Sequence, residues 1–263
     1  MKKTIWLLSV TIVVLIALSI AFAQAKGVKR KRVSAQDYGN VVINNFSEKN
    51  NVAPVVFKHW LHRTKYTCRV CHVDIGFSMK AAETGVRCDD IKKGFYCGSC
   101  HHEDKDSFPP LEKKGFSGEI KNCDRCHSYG KNVKFENEFN KITAKFPRER
   151  FGNGIDWEKA ENEGIIKLKN EIQGITIKRK PLENQKDFGI ESKITGIPAI
   201  IYSHKKHTVW NGCEVCHPDI FSAKKGKTQY SMEDIFDGKF CGQCHGIVAF
   251  PNDDCQRCHT EQV

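Results

Sequence analysis

Cys-x-x-Cys-His is written six times in this chain. The cysteine pairs are Cys68/Cys71, Cys97/Cys100, Cys123/Cys126, Cys213/Cys216, Cys241/Cys244 and Cys255/Cys258. Each second cysteine is followed by a histidine: His72, His101, His127, His217, His245 and His259. The motifs use all but one of the 13 cysteines, and only Cys88 is left over. A disulfide framework has no use for a histidine at a fixed position. Zinc and iron–sulfur sites take paired cysteines, yet they do not need histidine at the next residue every time. Covalent attachment of a c-type haem needs all three residues together. Two thiols one turn apart form thioethers to one porphyrin edge, and the next residue brings its imidazole under the iron. Six such motifs predict six covalently bound haem c groups.

The remaining histidines are His59, His62, His102, His204 and His207. Four of them spell His-x-x-His before the first motif of each half, and on a helix positions i and i+3 share a face. Two imidazoles on one face can ligate two different haems. His102 directly follows His101, so it cannot reach back to that iron; a neighbouring haem is its only prospect.

The chain is a repeat. VVFKHWLH (Val55–His62) lies on IIYSHKKH (Ile200–His207), CRVCHVDIGFS on CEVCHPDIFS with Gly76 extra, KKGFYCGSCH on FDGKFCGQCH, and CDRCH on CQRCH. Phe108-Pro109 lies on Phe250-Pro251, and QDYG (Gln36–Gly39) and KDFG (Lys186–Gly189) stand before the two copies. A longer loop, near Leu111 to Lys121, precedes the third motif of the first copy. This divides the chain into a leader at 1–25, a three-motif domain at 36–130, a linker at 131–186 and a second three-motif domain at 187–263.

In the linker, FGNGIDWEKAENEG reads as a turn and a short helix stopped by Gly164. IIKLKNEIQGITIKRK alternates apolar and charged residues, which predicts one or two strands. Its apolar residues suit packing of the two copies against each other better than a loose tether. At about 40 residues per haem, little conventional side-chain core is expected, and the porphyrins themselves take its place.

Lys2 and Lys3 precede an apolar run from Ile5 to Ala23 that ends in small residues, as in an export signal cleaved after Ala23 or Ala25. An uncleaved segment of this length would instead anchor the protein in a membrane. The basic run Lys26 to Arg32 fits poorly with either, but c-type attachment takes place outside the cytoplasm, so a periplasmic location is expected. The net charge of +11 does not imply a nucleic-acid partner. Without Lys2 and Lys3 it is +9, and the propionates of six haems would bring it to −3 with ferrous iron. The basic side chains offset propionates and steer partners.

Each unit resembles a three-haem class III cytochrome c, on FKHWLH…CRVCH…CGSCH…CDRCH and YSHKKH…CEVCH…CGQCH…CQRCH. The resemblance implies two haem-packed, mainly irregular and α-helical domains with little regular secondary structure. It also implies axial pairs His59 with His72, His62 with His101, His204 with His217 and His207 with His245. The all-histidine version of that family has a further histidine shortly before the second motif, and here there is none. Some members use a methionine there, which implies Met232 as the ligand opposite His259. Cys88 aligns with Met232 in the first unit. Opposite His127, three readings stay open: Cys88 as a thiolate, Met79, or an open iron. An exposed Cys88 could equally cross-link two chains. The implied activity is electron transfer between redox proteins, among them cytochromes and a quinol-oxidising membrane complex. The rival readings are a multihaem reductase of a small oxyanion and a subunit of a membrane or extracellular assembly.

Overall fold

The computed structural model describes residues 33–101, 123–129, 138–180, 185–192 and 194–260. The leader at 1–25, His102, Phe108-Pro109 and the loop from Leu111 to Lys121 lie outside the described residues. Ser34–Val263 forms one compact unit.

Both copies open with a short antiparallel strand pair. In the first, β1 (Asn40–Ile43) pairs with β2 (Val55–Lys58) in the register Asn40↔Lys58 to Ile43↔Val55. Their β-branched residues, NVVI against VVFK, suit a half-buried pleated surface. The strand β2 runs straight into α1 (His59–Arg63), so the ladder fixes where the His-x-x-His turn begins. After the first motif come α2 (Cys88–Lys92) and a 3₁₀ turn, Tyr96–Ser99. The linker holds α3 (Phe139–Ile142) and α4 (Trp157–Asn162).

The second copy repeats the plan. Strand β3 (Phe188–Ile190) pairs with β4 (Ile200–Tyr202), and α5 (His204–Asn211) carries the histidines. Helix α6 (Met232–Phe236) and the 3₁₀ turn Phe240–Gln243 follow, then α7 (Cys255–Cys258). The QDYG stretch therefore leads into β1, while KDFG overlaps β3, which begins at Phe188.

Helices α2 and α6 press onto the second motif of their own copy. A Cβ on Gly98 would overlap the Ile91 carbonyl oxygen, and one on Gly242 would overlap that of Ile235. Only glycine allows this approach of backbone to backbone. Gly98→Ala and Gly242→Ala should each cost about 1–3 kcal/mol, the range for overpacking a tight site, read as a lower thermal midpoint. An unchanged midpoint would mean the helices can step off the motifs.

One side-chain core is present. Trp60, Phe139, Ile155, Trp157, Ala160 and Ile166 form it, with Leu61, Ile142, Phe146 and Leu168 packed around them. The reason is in the local sequence. His59 and His62 share one face of α1, so Trp60 and Leu61 turn to the other side and need apolar cover. The linker supplies it: the Trp60 and Phe139 rings meet edge to face at 4.9 Å. Asp156 caps α4 by accepting from the Lys159 N–H, and Trp157 Nε1 donates to Asn153. In the second copy the corresponding residues are Lys205 and Lys206, both exposed. The expectation of little conventional core is corrected where Trp60 meets the linker.

The expected turn, helix and Gly164 stop are present, with Gly164 at φ +70° directly after the α4 cap. The expected strands over 165–180 are not. Among the described residues this stretch runs as turns with a single ladder contact, Tyr66↔Lys169. Its alternation reflects Ile166, Leu168 and Ile172 turning inward. Ile166 and Leu168 pack on the core that holds α4, and Ile172 is buried outside that cluster.

Polar contacts close the seam between the copies. Tyr38 donates to the Ala249 carbonyl (2.7 Å), Trp210 Nε1 donates to Glu161 (2.6 Å), and Arg179 bridges Asp74 and Glu214. Arg257 pairs with Glu149 and Asp156, and Lys206 with Glu158.

Candidate haem-binding centres

Each motif is wound into one tight turn. The histidine N–H donates to the carbonyl of the first cysteine in five of them: His101 to Cys97, His127 to Cys123, His217 to Cys213, His245 to Cys241 and His259 to Cys255. The first motif begins in a helical turn and continues as a π-helix, Val70–Asp74, a form found mostly at functional sites. None of the 13 cysteines is in a disulfide. Zinc needs four nitrogen or sulfur donors converging on one point. Among the described residues no three side chains of His, Cys, Asp or Glu converge in that way.

The histidines face each other in pairs. Ring centroids lie 6.4 Å apart for His59 and His72, 6.2 Å for His62 and His101, 6.4 Å for His204 and His217, and 6.3 Å for His207 and His245. A metal–imidazole bond is about 2.0–2.1 Å. With each centroid ~1.1 Å behind its nitrogen, two imidazoles trans on one metal sit about 6.3 Å apart. The separation matches the room a metal ion ligated by both rings would need.

The other ring nitrogen is occupied. Nδ1 lies against a backbone carbonyl at His59 (Gly39, 2.7 Å), His62 (Lys58, 3.0 Å), His72 (Phe77, 3.0 Å), His207 (Ser203, 2.8 Å), His217 (Phe221, 2.7 Å) and His245 (Phe250, 3.1 Å). A carbonyl only accepts, so Nδ1 carries the proton and the Nε2 lone pair is free for a metal. Burial pushes His59 and His245 down to about 4 and lowers His62, His72 and His207. These imidazoles are neutral at pH 7, the form that ligates.

The third motifs are set by the strand pairs. Val55 bridges to His127 and Ile200 to His259, and Nδ1 meets the Ala53 carbonyl at 2.7 Å and that of Pro198 at 2.6 Å. Met232 heads α6 and is half-buried, while Cys88 heads α2 and is exposed. Met79 is half-buried in the loop after the first motif.

Sequence reasoning missed three features. Aromatic rings stack on the second histidine of each pair, Phe57 on His62 (4.3 Å) and Tyr202 on His207 (4.5 Å). Both stand two residues before the first histidine, so the repeat alignment carried the signal. Tyr96 and Phe240, directly before the second motifs, take the left-handed conformation at φ 51° and 50°. For bulky residues this is a strained position of the kind that collects at functional sites. Arg63 lies in the seam, and nothing in the sequence marked it.

A family model described as cytochrome c7 and related cytochrome c matches residues 55–128 and 200–260, just over half of the chain. The chain belongs to this cytochrome c7 family. Haem c bound through thioethers is the cofactor of such a cytochrome, and the motifs and facing imidazoles fit it. Among solved structures, this cytochrome is similar to a c7-type three-heme cytochrome domain, at 34% identity over 30% of this chain and 99% of that one (TM-score 0.27). It is also similar to the C-terminal hexaheme fragment of GSU1996, at 21% identity over 84% of this chain and 97% of that one (TM-score 0.27). The N-terminal hexaheme fragment of the same protein matches at 22% identity over 85% and 99% (TM-score 0.25). No curated protein matches.

Proposed function

We propose that this cytochrome is an exported, periplasmic carrier of single electrons with six haems, three on each of two domains at 36–130 and 187–263 joined by the 131–186 linker. The four imidazole pairs at 6.2–6.4 Å carry the reading. Each haem supplies a one-electron couple when bound. The twelve motif cysteines tether the haems, and His72, His101, His127, His217, His245 and His259 are the proximal ligands. His59, His62, His204 and His207 are the distal ligands of the first two haems of each domain. Met232 is proposed opposite His259, and Cys88 is the first candidate opposite His127.

The chain's own work is to hold these ligands still. Carbonyl acceptors set the imidazole tautomer, and burial keeps the rings neutral. Filled axial positions exclude substrates, which favours a carrier over an oxyanion reductase. Other redox proteins would dock transiently through charge-complementary patches. A quinol-oxidising membrane complex is one such donor.

Intact mass combined with low-temperature paramagnetic resonance tests this. The expected result is six tethered haems, four of them low-spin with two histidines. Fewer haems, or a mainly high-spin spectrum, would contradict it.

A further inference from the structure

We propose that Arg63 is the electrostatic link between the two halves of this cytochrome, holding up the reduction potentials of the haems tethered at Cys68/Cys71 and at Cys241/Cys244. The inference rests on the six-haem reading above and concerns a residue with no counterpart in the second copy, where Thr208 takes its place.

Arg63 ends α1, next to His62 and five residues before Cys68. Its guanidinium lies 5.3 Å from the Trp157 ring centroid and 6.0 Å from that of Trp210, so the linker and the second copy both face it. Nη1 donates to the Val248 carbonyl (3.4 Å), and the Val248 N–H donates back to the Cys244 carbonyl (2.9 Å). One cation is thus tied through Val248 to the middle motif of the second copy while it stands five residues before the first motif of its own.

The charge is unmatched. Arg63 forms no ion pair with a carboxylate among the described residues, whereas Arg257 nearby has Glu149 and Asp156. Glu161, the nearest acidic influence, is held by the Trp210 indole. Burial opposes the Arg63 charge, and the Cys68 and Cys244 sulfurs lie close enough to interact with it. An unpaired cation half-removed from water is costly, and its field is less screened there than at the open surface. Ferric haem carries one more positive charge than ferrous haem, so this field favours the reduced form and raises the potential.

The test is a redox titration of the intact cytochrome as wild type, Arg63→Gln, Arg63→Lys and Glu161→Gln, with haem content and thermal midpoint measured on each. Arg63→Gln should lower two of the six one-electron steps by about tenfold in the reduced-to-oxidised ratio, ~59 mV. Arg63→Lys should restore most of that shift. Glu161→Gln, which removes the opposing charge, should move the same steps upward, and it decides the matter if Arg63→Gln does not accumulate. A purely packing role would lower the thermal midpoint of both Arg63 variants and leave the potentials in place. Unchanged potentials in Arg63→Gln or Glu161→Gln with all haems retained overturn the inference, as does an Arg63→Lys shift equal to that of Arg63→Gln. A wild type lacking six haems fails the underlying reading instead.

Discussion

Replacing Cys68 and Cys71 together by serine should remove one haem from the cytochrome and destabilise it by several kcal/mol. Two facts make this motif the sensitive one. Val70, between the cysteines, is fully buried, and Thr67 just before them is 4% exposed. Arg69, inside the motif, pairs with Asp74 (3.2 Å) and donates to the Asn170 carbonyl, and Asp74 also binds Arg179. The tether is therefore built into the seam. Its haem also has no side-chain substitute, because only eleven apolar residues are buried among those described. Deleting a Phe or Trp from a core costs about 3–5 kcal/mol, and a haem is larger than either. The space between the His59 and His72 rings, whose centroids lie 6.4 Å apart, would be left open beside two neutral imidazoles. Either single substitution keeps one thioether and should be milder. Intact mass reads the haem loss and calorimetry the stability. A double variant with six haems, or with the wild-type midpoint, would contradict this account.

The turn of each motif was legible because it is local. Thioether formation and proximal ligation depend on a five-residue spacing, and the turn that places Cys97, Cys100 and His101 is made within that motif. The four facing pairs were legible only through the family resemblance, since no spacing rule says which motif histidine His59 faces. What orients the rings was not legible. The carbonyl at His127 Nδ1 belongs to Ala53, and that at His259 to Pro198, contacts made by folding across 74 and 61 residues. The core on Trp60 could have been read from HWLH against HKKH, since the apolar pair in the first copy must be covered and the lysine pair must not. The strands expected at 165–180 failed for a related reason. Alternation records which residues turn inward, and Ile166 turns into the core that holds Trp157 and Ala160. Arg63 left no trace because a single arginine after a histidine is ordinary until Trp157 and Trp210 close over it.

Replacing His59 should change the electronic state of one haem while leaving the count at six. The tethering cysteines are untouched, so the haem stays. The His59 ring lies almost parallel to that of His72, at 4°, and is locked by the Gly39 carbonyl. His59→Ala should therefore open the sixth position of that haem alone. It should give a high-spin ferric signal from one haem in six and binding of cyanide that the wild type lacks at that haem. His59→Met should keep the iron low-spin and raise its potential, because a thioether favours ferrous iron. The expected rise is on the order of 0.1 V, within the roughly 0.8 V that axial ligands span. His62 sits on the same helix face but opposite His101, at 6.2 Å, so His62→Ala should produce the same signature on a different haem. Combining it with His59→Ala should double the high-spin signal. Had the two histidines served one iron, the double variant would resemble the singles, and a spectrum that stays low-spin throughout would remove both from the coordination sphere.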